Sequence, residues 1–241
     1  MANPPVASAP MDGESHSPTP EAPAASPARV EAAEVLRRLG HAIVGHENHD
    51  EVFERIAGFV REILPEVESG PVRHRPIADM KRRLLEGPPA DGEAMHHFPE
   101  CVVSGVANPM GIAIDCHREG SEAVARITLG AAFEGAPQRA HGGIVAAIFD
   151  DVMGFVPSIE GAPAYTARLC IDYLAPTPVG EPLEFRARMR ERDGRKLWID
   201  AEATGPEGTV ARAEGLFVAI PRDRLGLSDD EHREVSKNWS P

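Results

Sequence analysis

Residues 29–64 have the spacing of apolar side chains that is typical of amphipathic helices. Between residues 29 and 64, apolar side chains recur every three or four positions, and glycines and Pro65 interrupt the run. This spacing predicts two amphipathic helices. A further short helix is expected over residues 77–85, and the glycine- and proline-rich residues 87–92 predict a linker.

Beyond this linker the apolar residues mostly alternate with polar ones, as they do in strands. The pair Asp193-Gly194 between two alternating runs predicts a tight hairpin. The nearly all-apolar run 142–149 lies between the second and third predicted strands and predicts a buried helix. With such short connections, the strands should form an antiparallel sheet that wraps this helix, which is an α+β fold. The predicted strands cover residues 112–117, 123–129, 165–174, 183–192, 196–204 and 210–220.

Composition divides the chain into four segments. Residues 1–28 are dense in Ala, Pro and Ser and have almost no large apolar residue, so we expect a disordered arm. Residues 29–90 form the helical extension and linker, residues 91–221 the strand-rich domain, and residues 222–241 a polar tail. Hydrophobic residues make up 42% of the 241 positions and aromatic residues 5%, so the core must consist mainly of Ala, Val, Ile and Leu.

Charge and cysteine content narrow the class of protein. The formal net charge of −13 argues against nucleic-acid binding, which needs a clustered basic surface. Three cysteines without a secretory signal favour reduced thiols and a cytoplasmic location. No apolar run approaches the length of about 18 residues that spans a bilayer. The histidines have no spacing typical of a metal site, and no nucleotide-binding motif is present.

The run from His141 to Asp150 carries the candidate chemistry. A histidine and two glycines open the apolar helix, and a carboxylate follows about two turns inside it. An acid among apolar residues is costly unless it is paired or functional. The backbone N–H groups of Gly142 and Gly143 would lie at the helix N-terminus, where the helix dipole favours developing negative charge. An N–H donor and an acid together point to attack on a carbonyl group, although glycines at a helix entry can also serve close packing alone.

Further motifs surround this run and carry a family resemblance. They are Asn108-Pro109-Met110-Gly111-Ile112, Thr166-Ala167-Arg168-Leu169 followed by Tyr173, Pro176 and Pro178, and the hairpin Gly194-Arg195-Lys196. Together with the nine-residue spacing from His141 to Asp150, they resemble the hotdog-fold acyl-CoA thioesterases, in the branch that contains the phenylacetate-pathway and mammalian long-chain enzymes. The resemblance covers residues 100–221.

The resemblance implies a hotdog fold, in which an antiparallel sheet wraps one long central helix. It implies hydrolysis of acyl-CoA thioesters to free acid and CoA, with no metal and no cofactor. Asp150 would be the general base or the nucleophile, and Thr166 would hold the attacking water or orient the carboxylate. The Gly143 N–H, helped by Gly142, would polarise the thioester carbonyl. His141 would orient the loop or the substrate.

Substrate binding is expected at two further places. Arg195 and Lys196 at the hairpin tip would supply the cationic spot that CoA phosphates need in an acidic protein. Their ordinary alternative is a pair of solvated turn charges. Asp172 stands where relatives have a polar residue near the substrate. Asp151 lies next to Asp150 and would point about 100° away on a helix, so only one of the two acids is expected to face the site.

The spacing along the helix also predicts an assembly. Gly143 and Asp150 are seven residues apart, about 10 Å at the helical rise, whereas one carbonyl needs its base within about 3 Å or one water. We therefore expect each site to pair Gly143 of one subunit with Asp150 of another, in a homodimer or a dimer of dimers. The main alternative function is a non-catalytic acyl-CoA-binding or regulatory module, and a hotdog dehydratase is a third. The pairing of Asp150 with Thr166 favours the enzyme.

Overall fold

The computed structural model describes residues 25–73, 87–221 and 227–238. The helix expected over residues 77–85 lies outside the described residues, as does most of the expected disordered arm. The helices are α1 (Pro27–Gly45), α2 (Asp50–Glu68), α3 (Gly142–Ile159) and α4 (Asp229–Asn238), with a 3₁₀ turn at Ala131–Phe133. The strands are β1 (Asp115–Glu119), β2 (Glu122–Thr128), β3 (Glu134–Ala136), β4 (Arg139–Ala140), β5 (Ala164–Tyr173), β6 (Pro182–Asp193), β7 (Lys196–Gly205) and β8 (Gly208–Ala219).

The main sheet has six strands, all antiparallel to their neighbours, in the order β1-β2-β6-β7-β8-β5. A separate ribbon pairs β3 with β4 just before α3. The helix α3 packs against five of the six strands of the main sheet, which are β2, β6, β7, β8 and β5. The predicted architecture, an antiparallel sheet around one buried helix, is confirmed.

The centre of the hydrophobic core is α3. Nine of its residues are buried, and Ile148, Phe149 and Val152 have no exposed surface. The Phe149 ring meets the Phe185 ring of β6 edge to face, with ring centroids 5.1 Å apart. By length and mean hydropathy α3 could cross a bilayer, but 56% of it is buried inside the fold. A helix that is apolar on almost every side is stabilised by such burial.

Successive side chains of β6 alternate between the hydrophobic core and the outer face of the sheet. Phe185 and Ala187 are fully buried on the inner face, whereas Arg186 lies on the outer face of the sheet. Ion pairs between strands cover this outer face, and the Arg186 guanidinium lies 3.0 Å from a carboxylate oxygen of Glu119, which reaches it across β2. Hydrogen bonds from Arg126 and Arg186 hold the pKa of Glu119 below its usual range. The arginine and glutamate side chains on the outer face therefore neutralise one another where they form ion pairs.

The strand β1 begins three residues later than the alternation predicted, at Asp115 instead of residue 112. The cause is Ala113, whose φ of 58° lies in the left-handed region and breaks the extended run. The N–H groups of Ile112 and Ile114 donate to carbonyls of the preceding loop, at Val102 and Val103. The alternating pattern gave no sign of one left-handed residue.

Both ends of the described chain contain more helix than expected. The arm was expected to continue through residue 28, but α1 already begins at Pro27, and the Ser26 hydroxyl accepts a hydrogen bond from the Arg29 N–H at 3.3 Å. Proline at the first helical position and serine before it are typical of a helix start. The expected polar tail contains α4, and its Val235 side chain is fully buried.

Replacing Phe149 with Ala should lower the free energy of unfolding by about 3–5 kcal/mol, because the ring is fully buried against Phe185. A matched control is Phe59→Ala on α2, where the ring is 65% exposed. This control should change stability by about 0.5 kcal/mol or less. Urea denaturation of both variants measures the difference, and equal losses would contradict the central position of α3.

Candidate active site

The residue that opens α3 is His141, and its side chain caps the helix. Its φ of −63° and ψ of 132° are extended, and its Nδ1 accepts a hydrogen bond from the Gly143 N–H at 2.9 Å. Because Nδ1 is the acceptor, the ring proton lies on Nε2. The first N–H groups of a helix have no partner inside it, so this cap satisfies one of them.

The peptide unit between Gly142 and Gly143 is held at both ends. His141 accepts from its N–H, and the Tyr173 hydroxyl of β5 donates to its carbonyl oxygen, the Gly142 O, at 2.9 Å. A Cβ at Gly142 would lie 3.4 Å from that hydroxyl oxygen, so the strand and the helix entry are in close contact. This peptide carries the Gly143 N–H that is predicted to polarise a substrate carbonyl.

Thr166 and Asp150, which were predicted to act together, are also in contact. The Thr166 hydroxyl of β5 donates to Oδ1 of Asp150 on α3 at 2.7 Å. Both side chains are exposed in the single chain, although Asp150 follows the fully buried Phe149. The hydrogen bond fixes one carboxylate oxygen. The other oxygen remains available to a water molecule or a substrate.

Gly143 and Asp150 lie on one face of α3. Seven residues correspond to almost two full turns, so the two positions point in nearly the same direction about 10 Å apart. Both are exposed, while Val145, Ile148 and Phe149 on the other sides of the helix are buried. This face is the open side of an otherwise buried helix.

The neighbouring acid, Asp151, has a different environment. Its side chain is only 10% exposed, and the Cys101 thiol donates to its Oδ1 at 3.3 Å. His97 lies with Nε2 at 3.6 Å from the same oxygen, and its ring stacks on Phe155 at 3.9 Å. Asp151 therefore ties the segment before β1 to α3. This cluster of Asp151, Cys101 and His97 was not predicted, because it joins segments that are distant in the chain.

The predicted substrate-binding residues lie in two different places. The turn at Gly194, with a φ of 56°, sets Arg195 and Lys196 at the hairpin tip, and the Arg195 Nε donates to the Ala219 carbonyl at 3.0 Å. Lys196 of β7 pairs with Val218 of β8, and Val218 pairs with Tyr165 of β5, next to Thr166. The hairpin tip is therefore two strands away from Thr166 across the sheet.

Asp172 does not join Asp150. It pairs with Arg212 in the sheet and lines the outer face, away from α3. The structure thus brings together His141, Gly142 and Gly143, and separately Asp150 with Thr166, but it leaves Asp172 on the opposite side of β5.

The Cys116 thiol is fully buried in the hydrophobic core. Burial raises the pKa of the Cys116 thiol well above its usual range, and the nearby carboxylates of Asp151 and Asp115 raise it further. Cys101, Cys116 and Cys170 are all unpaired. Over residues 25–73, 87–221 and 227–238, no group of three or more His, Cys, Asp or Glu side chains is arranged to hold a metal ion.

Two polar contacts of the site were not predicted from the sequence. The Tyr173 hydroxyl was seen only as part of a motif, and its bond to the Gly142 carbonyl depends on β5 lying beside the start of α3. The capping role of His141 had a signal, since a polar residue stood directly before the apolar helix. Histidine is not among the commonest capping residues, so this signal was weak.

Comparison with known proteins identifies the class. The model of the thioesterase superfamily matches residues 138–211, which include α3, β5, β6 and β7. A crystal structure of a thioesterase superfamily protein is 26% identical and covers 82% of this chain and 93% of its own, with a TM-score of 0.68. Residues 138–211 therefore match the thioesterase superfamily, and the architecture is a hotdog fold.

Two further relatives are similar over shorter regions. Over 93 residues, 38% of this chain, the sequence is 30% identical to the acyl-coenzyme A thioesterase THEM4 of Rattus norvegicus, and the match spans 40% of that relative's length. The E. coli PaaI protein from the phenylacetic acid degradation operon is 25% identical and covers 46% of this chain and 81% of its own, with a TM-score of 0.43. The predicted resemblance to the thioesterase superfamily is confirmed over residues 138–211, where the family model matches.

The two adjacent acids should respond differently to removal. Asp151→Ala leaves the Cys101 thiol without its acceptor and removes the carboxylate beside His97, so the free energy of unfolding should fall by about 1–3 kcal/mol. Asp150→Ala removes an exposed carboxylate and should change it by about 0.5 kcal/mol or less. Urea denaturation distinguishes them, and a larger loss for Asp150→Ala would reverse the assignment.

Proposed function

We propose that this protein hydrolyses acyl-CoA thioesters to a free acid and CoA. The observation that carries the proposal is the Thr166–Asp150 hydrogen bond on the open face of α3, in line with the N–H of Gly143. The thioesterase superfamily domain supports this chemistry, as does the local similarity to an acyl-coenzyme A thioesterase. A binding module would not require a carboxylate held in this way.

The carbonyl would be polarised at the start of α3. In the free protein the Gly143 N–H donates to His141 Nδ1, so the thioester oxygen must replace the imidazole as acceptor. Hydrogen bonds to an oxyanion are roughly twice as strong as those between neutral groups. The replacement therefore favours the developing oxyanion over the ground-state carbonyl, which is what a catalytic donor requires. One good donor of this kind contributes about 3 kcal/mol to transition-state stabilisation.

The carboxylate of Asp150 would supply the attack. Thr166 holds Oδ1, and the second oxygen either takes a proton from the attacking water or attacks the carbonyl carbon itself. In the first case the water oxygen bonds to the acyl carbon, the C–S bond breaks, and CoA leaves as the thiolate. In the second case the carboxylate oxygen bonds to the acyl carbon, the C–S bond breaks and CoA leaves as the thiolate, and water then hydrolyses the resulting acyl-Asp150 anhydride. Arg195 and Lys196 are proposed to contact the CoA phosphates.

A complete site needs a second copy of the chain. Gly143 and Asp150 are too far apart on one helix for a single carbonyl, and both face outward from the fold. The adjoining strand β5 is a sheet edge of ten residues, and most of them are exposed. A long unpaired edge is a ready surface for pairing with another chain. We propose a two-fold dimer in which each site joins Gly143 of one protomer to Asp150 of its partner, in a cytoplasmic protein.

Asp150→Asn should bind acyl-CoA with little change and lose turnover by about 10²–10⁴-fold, because the amide cannot accept the proton or attack the carbonyl. Steady-state hydrolysis across short, long and aromatic CoA esters measures kcat, and calorimetric titration measures binding. Asp172→Asn is the matched control, since Asp172 lies on the opposite side of β5. Unchanged turnover in Asp150→Asn would favour the non-catalytic binding module.

Mixing subunits tests the shared site. Asp150→Ala protein and Gly143→Pro protein, which lacks the N–H, should each be inactive alone. Refolded mixtures should regain activity, because a heterodimer contains one site with both an intact Gly143 and an intact Asp150. Hydrolysis is measured against the fraction of heterodimer, isolated with two affinity tags. Absence of recovery in purified heterodimer would contradict composite sites.

A further inference from the structure

The N-terminal helix α1 packs against the domain at the loops that precede α3. This helix lies outside residues 138–211, which the thioesterase superfamily model matches. The Arg37 guanidinium donates to the carbonyls of Val106 and Asn108 at 3.0 and 2.7 Å, and Ala33 is buried with 2% of its surface exposed. The helix is thus docked, although most of its residues are polar or exposed.

The contact nearest the site is made by His41. Its Nδ1 accepts a hydrogen bond from the Ala132 N–H at 3.1 Å, and its ring meets the Phe133 ring edge to face at 4.9 Å. Burial lowers the pKa of His41, which favours the neutral ring that this acceptor role requires. A Cβ at Gly130 would lie 2.4 Å from the same nitrogen, so the turn admits the histidine only because this residue is glycine.

The 3₁₀ turn that His41 holds is bonded directly to the start of α3. The Phe133 carbonyl accepts from the His141 N–H at 2.8 Å. A Cβ at Gly135 would lie 2.7 Å from the His141 Cα, so β3, which directly follows the turn, is also in close contact with His141. His141 in turn accepts from the Gly143 N–H at 2.9 Å. The turn therefore lies between two histidines, His41 on one side and His141 on the other.

We infer that α1 is a positioning element of the active site and that His41 is its positioning residue. His41 fixes the 3₁₀ turn, and the turn fixes the backbone of His141 through the Phe133 carbonyl. The His141 backbone leads directly into the peptide that carries the Gly143 N–H, so it orients this N–H even when a substrate has replaced the imidazole as its acceptor. The inference rests on the proposed function, because that N–H matters through the thioester carbonyl it would polarise. It also assigns a role to part of the helical extension, for which the amino-acid sequence suggested none.

Positioning affects the chemical step more than binding. A displacement of about 1 Å at a reacting group can cost about 10²-fold in rate, while the contacts that hold CoA are unaffected. The Tyr173 hydroxyl still holds the carbonyl end of the same peptide, so loss of His41 leaves the peptide partly restrained. We therefore expect a loss in kcat of about tenfold, smaller than that full displacement would give.

The test compares three variants of the full chain. His41→Leu keeps bulk but removes the acceptor, and His41→Asn retains an oxygen at the position of Nδ1. His46→Leu is the matched control, because His46 lies just past the end of the same helix and its Nδ1 contacts the Ala42 carbonyl of that helix. Each is measured for kcat, KM, thermal stability and hydrogen–deuterium exchange of residues 131–145.

In His41→Leu, kcat should fall about tenfold while KM stays within about twofold of the wild-type value. His41→Asn should regain most of the lost kcat. His46→Leu should have the kcat and KM of the wild type. Exchange over residues 131–145 should accelerate only in His41→Leu. Equal kcat and equal exchange in all three would overturn the inference. So would equal losses in His41→Leu and His41→Asn that follow their thermal stability, since packing alone would then explain them.

Failure of the proposed function gives a different result. If the wild-type chain hydrolyses no CoA ester, the thioesterase proposal fails, whereas the exchange of residues 131–145 in the three variants still reports on the contact. Faster exchange in His41→Leu, with protection regained in His41→Asn, would then support the positioning role. Unchanged exchange would reject it.

Discussion

The rest of the structure depends on the burial of one helix, α3, by one antiparallel sheet. Almost every side of this helix is apolar, so it is stabilised only where the sheet excludes water from it. The sheet leaves one face open, and on that face stand the Gly143 N–H and the Asp150 carboxylate. The two groups that could act on a substrate therefore lie at the edge of the hydrophobic core. They stand on a helix whose orientation is fixed by the packing of its buried faces.

Polar contacts position this face from three directions. The Tyr173 and Thr166 hydroxyls of β5 hold the Gly142 carbonyl and the Asp150 carboxylate. The nearly buried Asp151 ties the helix to the segment before β1, and His141 caps its first turn. Each contact joins residues that are distant in the chain or fixes a group with no partner in the helix. Adjacent acids thus acquire separate roles, since one points to solvent and the other is enclosed.

Much of the fold could be predicted because hydrophobic periodicity reports which side of an element is buried. The buried helix, the antiparallel strands and the Asp193-Gly194 hairpin all follow from local patterns. The late start of β1 could not be predicted, because it depends on one left-handed residue, Ala113. Helix α4 was overlooked because its single buried apolar side chain, Val235, gives too weak a period against its polar neighbours.

By itself the sequence determined most of the helices and strands, the thioesterase resemblance and the residue types of the candidate site, since spacing along a helix or a strand is a local property. Only the tertiary structure decided which side chains meet. It set Thr166 against Asp150, turned Asp172 to the outer face, and placed α1 beside the turn that precedes α3. These outcomes depend on strand register and on contacts between distant segments, and neither is encoded in any short stretch of the chain.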